Sequence, residues 1–186
     1  MTPGPAAETV LAAPRELVDL ASRCGRVAGL DAGSADRAAH NVTAAEVGYG
    51  DALAAFLDAL GDPARLAAEF VAGPDALAAA EVEARRFGSA EVVLPSPVPV
   101  AALALSVDEV RGRGQGVSGI PEGADGSTTL DRLVVGGEPE PRAVGGALHT
   151  AVARDGVWVD GTAFAGLIRF ANAFLVPETI LDAADV

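Results

Sequence analysis

The periodicity of this chain changes at Phe87-Gly88, and that change limits its fold more than any other feature. Upstream, apolar residues recur at three- and four-residue spacing, the pattern of helices with one buried face. Downstream, short apolar runs alternate with prolines and glycines, the pattern of strands and turns. Helices, then strands, then a last helix predict an α+β fold. An N-terminal layer of about four helices is expected to pack on a mainly antiparallel sheet, with a C-terminal helix completing it. Residues 1–12 read as a flexible leader. Residues 13–186 read as one domain with a helical sublobe (13–87) and a mixed sublobe (88–186).

Within the helical half, Pro14 suits a first helical turn, and Leu17, Leu20, Ala21, Cys24 and Val27 follow at helical spacing. Ser34 reads as the cap of a second helix, over roughly residues 35–60, with Val42, Leu53, Phe56 and Leu60 on its apolar face. Asp36, His40 and Thr43 fall on the polar face. Gly48 and Gly50 flank Tyr49 and predict a bend. Gly61-Asp62-Pro63 and Gly73-Pro74-Asp75 read as stop-and-restart signals for two further helices. In the second half, Glu91–Leu94 and Leu130–Val135 read as strands, and Val100–Val107 as a strand or a short buried helix. Thr162 can cap a final helix carrying Phe164, Leu167, Ile168 and Ala171 on one face.

Half of the residues are apolar but only 4% are aromatic, so the core must be built from Ala, Val and Leu, with elements approaching closely. A formal charge of −13 argues against nucleic acid and against an anionic membrane surface as partners. No basic-then-apolar signal opens the chain, and no apolar run approaches a membrane span, so a cytoplasmic location is expected. All thirteen basic residues are arginine. The absence of lysine removes Schiff-base chemistry, attachment of pyridoxal phosphate and the lysine of phosphate-binding loops. The Arg-only, Ala- and Gly-rich usage is that of a GC-rich bacterial genome. One cysteine excludes an internal disulfide, and two histidines exclude a three-histidine zinc site. No Asp-rich loop of metal-ligand spacing appears, so neither a metal nor a cofactor is expected.

Gly114, Gly116 and Gly119 match a dinucleotide-binding spacing. Such a motif must open a helix, and Pro121, Gly123 and Gly126 forbid one. Arg111 and Arg113 make this glycine-rich loop (111–128) a candidate grip for an anionic substrate group, against the plainer reading of a solvated loop.

The strongest local signal is Asp155-Gly156 between two alternating runs, which predicts a two-residue type I′ hairpin. In that register His149, Trp158 and Asp160 share one face. Asp160 would orient the His149 imidazole as a general base, and Trp158 would wall or stack on a substrate. The alternative is a polar sheet face with no catalytic role. Glu46 and Tyr49 form a second candidate pair. A carboxylate on an apolar helix face must pair with an arginine such as Arg142 or Arg169, reach solvent, or bind its proton more tightly. In the last case Glu46 would serve as acid or base beside the only tyrosine.

Ala28-Gly29-Leu30, Ser34-Ala35-Asp36-Arg37-Ala38-Ala39 and Phe174-Leu175-Val176-Pro177-Glu178-Thr179 resemble an uncharacterised bacterial protein family of about this length. The resemblance covers a minor part of the chain. It implies a helical N-terminal half before a mixed C-terminal half, and no activity.

Two functional expectations follow. The first is a small cofactor-independent enzyme, a lyase, isomerase or cyclase, working on a small-molecule substrate by acid–base chemistry. It would use His149, Asp160, Glu46 and Tyr49, with Trp158, Arg111 and Arg113 binding substrate. The second is a non-catalytic binding or accessory subunit in a homo- or hetero-oligomer.

Overall fold

The helices of the first half arise where small residues let backbones meet. The computed structural model describes residues 9–94, 96–139, 152 and 154–174. Helix α1 (Pro14–Val27) opens with the Ala13 N–H donating to Glu16 Oε2 at 2.9 Å. Helix α2 (Ala32–Gly48) is capped by Asp31, whose Oδ1 accepts from the Ser34 N–H at 3.0 Å, so the cap lies three residues ahead of the expected Ser34. The two helices nearly touch: a Cβ on Gly25 would lie 3.1 Å from that of Ala35. On its other side α2 packs against α6 (Val100–Gly112). Fully buried Asn41 links that pair, its Oδ1 accepting from the Ser106 N–H and hydroxyl at 3.0 and 3.2 Å.

The expected helix over residues 35–60 is two helices. The chain turns at Gly50 and Asp51, both with positive φ (76° and 53°), before α3 (Ala52–Ala59). Helix α4 (Pro63–Ala67) is capped by Asp62 as expected. The second predicted stop, at Gly73-Pro74-Asp75, is not one. A π-helical turn (Ala68–Ala72) joins α4 directly to α5 (Gly73–Phe87), with the Gly73 N–H reaching back five residues to the Ala68 carbonyl. The wider turn takes Pro74, which has no N–H to donate, into a continuous rod. Beneath these helices Phe56 and Phe70 meet edge to face, ring centres 5.1 Å apart, among buried Leu17, Leu53, Leu77 and Leu103.

The change after Phe87-Gly88 is real. Among the described residues the strands form three small antiparallel sheets rather than one. Strand β2 (Ser89–Val92) pairs with β6 (Leu133–Gly136), which also pairs with β4 (Val117–Ser118); β3 (Val98–Pro99) pairs with β5 (Thr129–Leu130). The third pair overturns two expectations. Residues 9–12, assigned to a leader, form strand β1 (Thr9–Ala12), which pairs with β7 (Val157–Asp160). The Asp-Gly hairpin does not form. Arg154 and Asp155 are helical, and the Gly156 N–H donates to the Val152 carbonyl at 2.9 Å. Gly156, with φ 83°, ends a helical turn, a task that suits glycine as well as a hairpin does. Asp160 rather than Thr162 then caps the last α-helix, α7 (Gly161–Ala171), its Oδ1 accepting from the Ala163 N–H at 2.7 Å. Helices thus cover antiparallel sheets, and the fold is mixed α+β. Among the described residues no helix is long and apolar enough to cross a membrane.

Candidate functional site

The expected catalytic residues come together only in part. His149 lies outside the described residues. Trp158 and Asp160 do share a face of β7, opposite Leu11 and Thr9 of β1, and Trp158 is 66% exposed there. Tyr49 terminates α2, with its N–H donating to the Ala45 carbonyl at 2.7 Å and its ring half-buried against the core.

Glu46 is buried, but no arginine faces its carboxylate among the described residues. Its Oε2 accepts from the Ala52 and Leu53 N–H groups at 2.8 and 2.9 Å. Asp51 is in the left-handed region and caps nothing with its own side chain, so Glu46 reaches across the turn and caps α3 in its place. Burial raises the proton affinity of Glu46 above the ordinary carboxyl range. The two N–H donors oppose that rise, while the nearby charges of Asp51 and Asp160 add to it. Glu46 and Asp160 therefore share one electrostatic neighbourhood, each with an oxygen engaged at a helix N-terminus.

The arginines proposed to grip an anion from the glycine-rich loop have internal partners. Arg111 belongs to α6, and its guanidinium donates to the Val117 carbonyl at 3.0 Å. Arg113 makes a two-pronged contact with buried Glu81, at 2.9 and 2.7 Å. Arg113 and then Arg85 hold the Glu81 carboxyl down at about 2. After the glycines the chain enters β4, not a helix, so the dinucleotide spacing has no helix N-terminus to offer. Cys24 is fully buried on the stripe where sequence placed it, and burial pushes its thiol up to about 11.

A different feature has the dimensions of a ligand site. An open groove of about 550 Å³ runs between α1, α2 and α6. From α2 it receives His40, Thr43, Ala44 and Val47, spaced as one helical stripe. From α1 come Pro14, Arg15 and Val18; Leu105 of α6 and Val152 complete the lining, which is overwhelmingly apolar. His40, on what reads in sequence as a polar helix face, stands half-exposed at this groove with Nε2 3.9 Å from Asp36. Thr43 is almost wholly buried, and its hydroxyl has no hydrogen-bond partner among the described residues. A smaller hollow beside α3 and α7 is lined by Leu57, Asp58, Asp160 and Thr162. Among the described residues no three His, Cys, Asp or Glu side chains are grouped to hold a metal ion.

The sequence signal for the groove was present. His40, Thr43, Ala44 and Val47 sit at i, i+3, i+4 and i+7 on what reads as a polar face. Alanine and threonine suit core and surface equally, so the stripe did not declare itself.

An α+β protein with an apolar groove between its first two helices and α6 is the class these features define. Comparison of the chain with family models, with curated proteins and with solved structures found no match.

Proposed function

We propose that this protein is a binding module for a small, largely apolar molecule held in the groove between α1, α2 and α6. The observation that carries the reading is the groove itself. Its volume of about 550 Å³ lies within the range of about 300–1,000 Å³ usual for small-molecule sites. Its walls are helices rather than loops, so its shape is built into the packing of the fold.

This reading is preferred to acid–base catalysis for a chemical reason. A general base needs a lone pair aimed at substrate. Glu46 Oε2 and Asp160 Oδ1 are each directed at backbone N–H groups. The raised proton affinity of Glu46 still favours the enzyme as a second reading, with Glu46 as the acid.

The test is a ligand-observed NMR screen of small apolar compounds against the wild-type chain and Ala44→Phe. Ala44 is half-buried on the groove wall, so a phenyl ring there fills the space. Hits that bind the wild type and are lost in a folded Ala44→Phe protein support the reading. Hits retained by Ala44→Phe, or no hits, overturn it.

A further inference from the structure

If the groove is a ligand site, as proposed above, its charge pattern names the ligand class. We infer that it takes an aliphatic monocarboxylate, with the carboxylate on Arg15 and the hydrocarbon chain along Val18, Ala44, Val47 and Leu105.

The inference starts from the arginine that lines the groove. The chain carries twice as many acidic as basic residues, 26 against 13. Several arginines are engaged: Arg37 with Asp75, Arg65 with Asp58 and Glu69, Arg113 with Glu81, Arg132 with Glu91. Arg15, Arg26, Arg86 and Arg169 are not paired with an acid among the described residues, and of these four it is Arg15 that lines the groove. Arg15 makes no ion pair among the described residues, although acids are plentiful. Its neighbour Glu16 is turned away, with Oε2 accepting from the Ala13 N–H.

Nor does Arg15 serve its own helix. It stands in the first turn of α1, where the positive end of the helix dipole disfavours a cation. A guanidinium there, exposed and without an acidic partner among the described residues, at the edge of an apolar groove, is a receptor for an anion.

The geometry sets the ligand's shape. Gly25 meets Ala35 where α1 and α2 join. Both helices rise about 1.5 Å per residue, so Arg15 comes level with the C-terminal part of α2, near Ala45. One end of the groove is therefore cationic. The path away from it passes half-buried Val18, Ala44 and Leu105. A single anionic head with an apolar tail matches that arrangement. A cation meets Arg15 as a like charge, and a dianion leaves a second charge against apolar walls.

Isothermal titration calorimetry with decanoate, decanol and decyltrimethylammonium as probes tests this, on wild type, Arg15→Gln and Ala44→Phe. Wild type is expected to prefer decanoate. Arg15→Gln should weaken decanoate by about tenfold, the scale of one charge-assisted contact, and leave decanol unchanged. Ala44→Phe should lose both. Decanoate and decanol bound equally, with no selective effect of Arg15→Gln, would overturn the head-group assignment while the groove remains a site. Binding of both that survives Ala44→Phe, or no binding by any probe, would overturn the groove and this inference with it. Circular dichroism checks that each variant is folded; Arg15 is exposed, so its replacement leaves the core intact.

Discussion

A buried carboxylate does unusual structural work at Glu46. It satisfies the first N–H groups of a helix that its own N-cap residue leaves open. Because the fold raises its proton affinity, the folded state holds that proton more tightly than the unfolded chain. Stability from this group is therefore greatest in acid and falls as pH rises through the raised value. Glu46→Gln keeps an oxygen acceptor without the buried charge. It should match the wild type in acid and exceed it in stability at neutral pH. Glu46→Ala leaves two buried N–H groups without an acceptor and should lose about 1–3 kcal/mol at any pH. Urea unfolding in acidic and neutral buffer measures both, and a Gln variant weaker than wild type at neutral pH would refute the argument. Glu81 has the opposite sign. Arg113 and Arg85 hold its carboxyl down, so its contribution is present above the ordinary carboxyl range and fades as pH drops toward about 2.

Among elements, the sharpest constraint lies where the glycine-rich loop meets the turn between α2 and α3. The Gly126 N–H donates to the Gly50 carbonyl at 2.8 Å, and a Cβ on Gly126 would lie 2.5 Å from that oxygen and 2.6 Å from the Ala52 nitrogen. Both neighbours are backbone and cannot step aside. Gly126→Ala should cost about 2 kcal/mol or more by overpacking. Gly112→Ala, in open space at the end of α6, should be neutral or stabilising by up to about 1 kcal/mol. Urea midpoints compare the two, and equal midpoints would show that the loop is not docked as described.

This contact was not legible in sequence, where residues 111–128 read only as a loop. What was legible is what local chemistry decides: the stripe through Cys24, the cap at Asp62, the break around Tyr49 and the shift after Phe87-Gly88. The hairpin was lost because Asp-Gly serves a helix end and a hairpin alike, and the true partner of Val157–Asp160 lies at the far end of the chain. Pro74 was misread because a π turn accepts a residue that an α-helix rejects. Glu46 was legible as an anomaly, but its partners were not, since they are backbone groups of the next helix. The groove needed three helices in place before His40, Thr43 and Arg15 could be seen to border one space.

For the whole molecule, the charge of −13 and the alanine-rich packing act against each other. Helices that approach as closely as Gly25 and Ala35 leave no room for slack, while like charges on the surface press the fold outward. Added salt screens that repulsion, so the melting temperature should rise from low to moderate ionic strength. Thermal unfolding by circular dichroism measures the trend; a flat or falling Tm would show that the ion pairs outweigh the net charge. The β1–β7 ribbon has a consequence for how the chain is made. Thr9 leaves the ribosome well before Asp160, the residue opposite it. The α1–α2 pair can assemble while synthesis continues, but β1 must wait with Val10 and Ala12 uncovered until β7 has emerged. Closure of the ribbon thus waits on β7, and a nascent chain stalled before Val157 holds β1 unpaired.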